Sequence, residues 1–142
     1  MKIEDSWGFH ISKIAQEMAV QFGSHLEKEG LESRHYGILL TLYNYDNLTQ
    51  INIGERLGID RTTVGQLIDH LKASAFLKRK RNPKDRRQNV LSLTAKGSNL
   101  VKNMWKEMQE TERSVISNLS DLQRENILTI AEFIKGEIND KN

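Results

Sequence analysis

Apolar residues recur along the start of the chain at the spacing of one helix face: Trp7, Ile11, Ile14, Met18, Phe22 and Leu26. That is the period of a helix burying a single stripe, and it predicts a helix over Ser6 to Glu29, with Gly30 placed to stop it. Ser33 offers an N-cap for a second helix with Tyr36, Leu39, Leu40 and Tyr43 on its stripe, ending near Tyr45. Asp46 and Asn47 read as a loop. Thr49 and Gln50 begin a short helix, Ile51 to Leu57, closed by Gly58, and Asp60 caps the next one, Arg61 to about Ala73. Two helices joined by a short turn containing Gly make a helix-turn-helix.

After Phe76 the period changes. Leu91 and Leu93 alternate with Val90 and Ser92, as in a half-buried strand, and the basic run before them is the opposing arm. Asn82, Pro83, Lys84 and Asp85 form the turn, because Pro fixes φ and Asn or Asp side chains bond nearby backbone. Thr94 then caps a long helix to about Asn118, with Leu100, Val101, Met104, Met108, Thr111 and Val115 on one side. Ser120 and Gln123 read as a capping box for a last helix whose apolar face is Ile127, Ile130, Ala131, Ile134 and Ile138. The expected fold is mainly α with a small β-hairpin: a winged helix-turn-helix (33–94) between long N- and C-terminal dimerisation helices (1–30 and 95–142), in one domain. Helices of this length, attached to a small module, bury their stripes best against a second copy of the chain.

Composition narrows the function. The net charge is only +2, but from Glu55 to Lys96 eleven Lys/Arg face four Asp/Glu. Lys78 to Arg87 alone holds seven basic residues and one acid. A split of this kind points to a polyanion partner. With no cysteine there is no disulfide framework, thiolate metal site or thiol-based redox sensor, and the four His residues lack zinc spacing. His25 reads as a surface residue. No cofactor or metal is expected. No apolar run suits a membrane span and the N-terminus does not look like an export signal, so the expectation is a soluble, cytoplasmic chain. Phosphate-binding, zinc-protease and nucleophile-elbow motifs are missing, and the carboxylates sit on helix faces where charge ordinarily solubilises; catalysis is not expected.

The helix Arg61 to Ala73 divides its work between two faces. Val64, Leu67, Ile68 and Leu71 turn to the core, leaving Arg61, Thr62, Thr63, Gly65, Gln66, Asp69 and His70 outside. Short polar side chains and a Gly let such a helix enter a major groove, where Thr touches a thymine methyl or a phosphate and Gln pairs with adenine. The candidate DNA contacts here are Arg61, Thr62, Thr63, Gln66 and His70. On the hairpin, Lys84, Arg86 and Arg87 are presented to solvent; Arg suits a narrow minor groove, and Asp85 can hold the Arg87 guanidinium as a bidentate pair.

The run Asn82 to Arg87, followed by Leu91-Ser92-Leu93-Thr94-Ala95-Lys96-Gly97, resembles the wing signature of the MarR transcriptional regulators, an Asp-x-Arg before Leu-x-Leu-Thr-x-x-Gly. With Ile53 to Ile59, Asp60 to Leu71 and the long helices at both ends, the resemblance covers nearly the whole chain. It implies a homodimer on pseudopalindromic double-stranded DNA, with Arg87 in the minor groove, Asp85 positioning it, Arg86 beside the backbone, and Thr62, Thr63, Gln66 and His70 on the recognition helix. It also implies a ligand-responsive repressor with a cleft between the dimerisation and DNA-binding parts that takes a small aromatic or phenolic effector. Trp7, His10, Arg34, His35, Tyr36 and Tyr43 are the candidate lining of that cleft, although aromatic stripes at this spacing also serve as plain core. One departure from the family pattern is Lys72 to Phe76, where members commonly carry Gly, so an altered helix-to-strand corner is expected. A second reading stays open, in which the same winged helix binds a protein or RNA partner.

Overall fold

Left-handed glycines end two of the helical stretches. The structure, a computed structural model, describes residues 1–83 and 89–139. After a short 3₁₀ turn (Ile3–Asp5), α1 (Trp7–Leu26) tightens into a second 3₁₀ turn, Glu27–Glu29. Gly30, at φ +68, ends it, and Leu31 N–H returns to the Leu26 carbonyl at 3.2 Å; this conformation costs a residue with a Cβ more than it costs Gly. The helix α2 (Ser33–Asn44) is capped by Glu32, not by Ser33. Ser33 is already inside the helix, and its hydroxyl donates to the Ala19 carbonyl of α1, tying the two helices together. The expected α2 stripe is also corrected: His35, Tyr36, Ile38, Leu39, Thr41 and Leu42 are buried, whereas Tyr43 is exposed and Leu40 only partly covered. A one-stripe pattern assumes one covered side, and α2 is packed by α1, three of the later helices and the hairpin together.

The next two helices start and stop as their caps dictate. Thr49 accepts the N–H of Asn52 at 3.2 Å and Asn52 Oδ1 accepts the N–H of Thr49 at 3.1 Å, opening α3 (Gln50–Leu57). Gly58 closes it at φ +64. Asp60 Oδ1 accepts the N–H groups of Thr62 at 3.1 Å and Thr63 at 3.0 Å, opening α4 (Arg61–Ala73). At the corner after α4, Ala75 takes φ +59, a region costing a non-Gly residue about 1–2 kcal/mol. Thr94 at the foot of the hairpin braces that corner, its hydroxyl donating to the Ala75 carbonyl at 2.7 Å and its N–H to the Phe76 carbonyl at 3.1 Å.

Strands β1 (Leu77–Arg81) and β2 (Asn89–Leu93) pair antiparallel, Leu77 opposite Leu93 and Arg81 opposite Asn89. Val90 and Leu91 are both buried, against the expected alternation. Successive strand residues point to opposite faces, so this end of β2 is enclosed on both sides. On one of them Leu91 belongs to the main core, and its N–H donates to the Leu48 carbonyl at 2.9 Å, joining the hairpin to the loop before α3. The turn residues Lys84, Asp85, Arg86 and Arg87, with Gln88, lie outside the described residues.

From the Thr94 cap, α5 (Ala95–Val115) crosses the module. It stops three residues short of the expected end near Asn118, and the predicted Ser120–Gln123 box opens α6 (Asp121–Asn139). The core centres on Tyr36, whose ring meets Phe22 edge-on at 4.9 Å and whose hydroxyl donates to the Val101 carbonyl of α5 at 2.9 Å. Burial pushes this phenol up to about 12. By contrast α6 has no extended contact with any other element among the described residues, and Leu122, Ile127, Ile130, Phe133 and Ile134 are exposed, as are Trp7, Ile11 and Ile14 of α1. No described helix is long and apolar enough to cross a membrane.

Candidate nucleic-acid interface

Because Val64, Leu67, Ile68 and Leu71 are all buried, the rotation of α4 is set, and with it what each polar residue faces. At 100° per residue the line opposite the core is Thr62, Gln66 and Asp69, all exposed. Arg61 and Gly65 flank it on the α3 side. Arg61 lines an open groove of ≈ 750 Å³ with Thr49, Gln50, Asn52, Glu55 and, from β2, Asn89. Gly65 leaves room for the Gln50 amide, whose Nε2 stands 3.0 Å from where a Cβ would be.

The other flank holds the half-buried Thr63 and the exposed His70. Thr63 lines a hollow with Arg34 and Gly37 of α2, and its hydroxyl, with the two N–H groups, holds the Asp60 carboxyl below the usual carboxylate range. His70 Nε2 lies 2.9 Å from the Gly30 carbonyl, and its ring is 4.8 Å from that of His35. Of the sequence-chosen residues on this helix, then, Arg61, Thr62, Gln66 and His70 are exposed and Thr63 is half-buried, and the exposed His70 is also held to the body of the chain through Gly30. His70 is engaged as a strut between α4 and the end of the first helix.

Asp69 and Arg79 are the residues the sequence reading did not choose. Asp69 sits on the outermost line, with Lys72 Nζ at 3.6 Å and Arg79 Nη2 of β1 at 3.7 Å. Lys78, Arg79, Lys80 and Arg81 are all exposed, so the strand extends the basic surface from the reading helix toward the hairpin turn. Register could have flagged Arg79, but its partner on α4 required the fold. The proposed wing contacts Lys84, Asp85, Arg86 and Arg87 lie beyond the described residues.

The effector candidates are not gathered into one cleft within the chain. Trp7 and His10 are exposed at the start of α1, where His10 Nε2 meets the Glu4 carbonyl at 2.7 Å. Arg34 is exposed and pairs with Glu32 at 3.2 Å. Tyr36 is core, with its hydroxyl satisfied. Tyr43 lines a separate hollow of ≈ 440 Å³ with Tyr45, Asp46, Leu93 and Thr94. His25 is exposed, as expected, with Nδ1 3.6 Å from Glu107. No group of three or more potential metal ligands occurs among the described residues.

His35 is the buried titratable group of this region. Its Nδ1 accepts the Glu32 N–H at 3.2 Å. Burial lowers its pKa from 6.5 and the facing His70 adds to that, with Glu32 opposing and Arg34 contributing least. The folded state therefore holds this imidazole neutral while the unfolded chain protonates it near 6.5. The associated stability is complete above that pH and is lost as the pH falls toward the lower folded value. Thermal melts from about pH 7.5 down to about pH 5 should show a steeper decline for the natural chain than for His35→Gln; parallel curves would sink the assignment.

Comparison with known proteins agrees with this geometry. A family model described as "MarR family" matches residues 29–88, the stretch from the end of the first helix into the hairpin. The chain is 30% identical over 98 residues to the organic hydroperoxide resistance transcriptional regulator of Bacillus subtilis (strain 168), covering 69% of this chain and 67% of that protein. Among solved structures, a MarR transcriptional regulator from Methanosarcina mazei Go1 superposes with a TM-score of 0.82 at 28% identity, over 95% of this chain and 97% of that one. The S. aureus MepR–DNA complex gives a TM-score of 0.80 at 23% identity, over 96% and 99%, and shows the shared fold. A helix-turn-helix with a cleanly outward reading line, a basic hairpin beside it, and a matching relative and family model together establish that this chain belongs to the MarR family and is a DNA-binding transcriptional regulator.

Proposed function

We propose that the chain acts as a homodimer on a pseudopalindromic operator, as a repressor that releases DNA when a small ligand changes the spacing of its two reading heads. The observation that carries this reading is the joint exposure of Thr62, Gln66 and Arg61 on α4 and of four consecutive cations on β1. Two helices placed ~34 Å apart by a two-fold axis meet successive major grooves on one face of B-DNA. The exposed apolar faces of α1 and α6 supply the surface for that pairing, and a ligand seated between them and the reading module has leverage on head spacing. Trp7, His10, Arg34 and Tyr43 are the candidates exposed enough to meet such a ligand, with a partner chain completing the site. The chain has no cysteine, so thiol oxidation is not the input.

Selection of bound sequences from random duplexes tests the reading. The expected result is a palindrome with half-sites one helical turn apart, preferred over random DNA by ~10³ or more, with log K falling by ~0.9 per neutralised phosphate as log salt rises. Arg87→Ala is expected to lower operator affinity at unchanged melting temperature and mass. No preferred sequence and a flat salt response would favour the protein- or RNA-binding reading instead.

A further inference from the structure

An acid standing on the reading line of a DNA-binding helix needs a reason. Asp69 is the only acidic residue from Arg61 to Arg81, a stretch with six Lys/Arg, and it is on the line of α4 farthest from the core. Its side chain is 68% exposed. Its pairs with Lys72 at 3.6 Å and Arg79 at 3.7 Å are of the exposed kind that adds little to stability. Near a duplex its charge meets the repulsion of the phosphates unless a base offers a donor.

We infer that Asp69 is a specificity-determining residue that accepts a hydrogen bond from the N4 amino group of a cytosine in the major groove of each half-site. The proposal rests on the DNA-binding reading above. A carboxylate is acceptor-only, and among base edges in the major groove cytosine presents a donor with no acceptor of its own. Lys72 and Arg79 fit this role in two ways. They offset the charge of Asp69 against the phosphates, and Arg79, anchored on β1, restrains the carboxylate along the groove. Gln66 precedes Asp69 by one helical step on the same line, about 4.5 Å along the axis, and its amide suits adenine. The pair therefore reads bases one or two steps apart, adenine by Gln66 and cytosine by Asp69.

Selection from random duplexes with the full-length natural chain, Asp69→Asn, Asp69→Ala and Arg79→Ala separates the possibilities. The natural chain should prefer cytosine at one position of each half-site by about tenfold or more. Asp69→Asn should move that preference to adenine, whose N6 and N7 an amide can bridge, and Asp69→Ala should erase it, with the other positions unchanged in both. An unchanged motif with affinity altered uniformly would overturn the proposal and leave Asp69 a brace for Arg79. Arg79→Ala should weaken the cytosine preference without replacing it, and loss of that preference in Arg79→Ala while Asp69→Ala retains it would also overturn the proposal, because the preference would then travel through the strand. If the natural chain selects no motif at all, the DNA-binding reading itself fails, and that is visible before any variant is compared.

Discussion

Gly97→Ala is expected to lower the melting temperature by roughly 10 °C and to weaken DNA binding, although alanine is the better helix former. Gly97 is buried in the first turn of α5, and a Cβ there would overlap the Phe76 carbonyl oxygen while lying 3.1 Å from its carbon and 3.2 Å from a Leu93 methyl. The contact is with backbone, so no side-chain rotation relieves it. That carbonyl is also the acceptor for the Thr94 N–H, in the corner where Lys96 donates to the Ser74 carbonyl at 3.1 Å and stands over the Phe76 ring at 4.0 Å. Overpacking costs about 1–3 kcal/mol, and a clash with backbone falls at the upper end, above the propensity gain of ~1 kcal/mol. At the upper end a domain of this size loses on the order of 10 °C. The helix start must retreat from the strand, and the hairpin shifts with it. A calorimetric melt at the natural temperature, with operator affinity intact, would show that α5 and β1 do not approach this closely.

Placing Asp at both Ile127 and Ile134 is expected to leave each chain folded but to halve its mass in solution and to reduce operator affinity by ~10³ or more, toward non-specific binding. Both residues are about half exposed in the single chain, where such changes ordinarily alter stability by less than about 0.5 kcal/mol. Their large effect arises only if α6 is covered by a partner, because two carboxylates would then lose water without gaining a counter-charge. The exposed row Leu122, Ile127, Ile130, Phe133 and Ile134 is long for a helix left uncovered by the other described residues. Equilibrium sedimentation at micromolar concentration is the check. A natural chain that sediments as a monomer, or a variant that stays dimeric, would remove α6 from the interface.

Element boundaries were legible wherever a cap spelled them out. Asp60 before Arg61, Thr94 before Ala95, the Ser120–Gln123 box, and Gly30 and Gly58 all act within one turn of backbone, so neighbouring residues suffice to read them. Ser33 was misread for the same local reason. Its hydroxyl is a good cap by type, but α1 takes it as a donor from across the helix pair. Tyr43 and the Val90–Leu91 pair show a second failure, since period reveals how many sides of an element are covered only when that number is one.

The recognition helix shows the division most plainly. Its core positions were readable from spacing, and the outward residues Arg61, Thr62 and Gln66 followed from them. Thr63 and His70 satisfied the same polar test, yet the fold half-buries Thr63 beside α2 and engages the exposed His70 at the Gly30 carbonyl, and it places Arg79 beside Asp69.

By itself the amino-acid sequence determined the order of the helices, the hairpin, the basic surface and the likeness to a regulator family, because caps, period and charge are local properties of a chain. Only the tertiary structure decided which side of α4 remains free, where the imidazole of His70 is spent, that Tyr36 is core, and that α6 stands uncovered. Those outcomes depend on distances between segments far apart in the chain, which packing sets and local pattern does not carry.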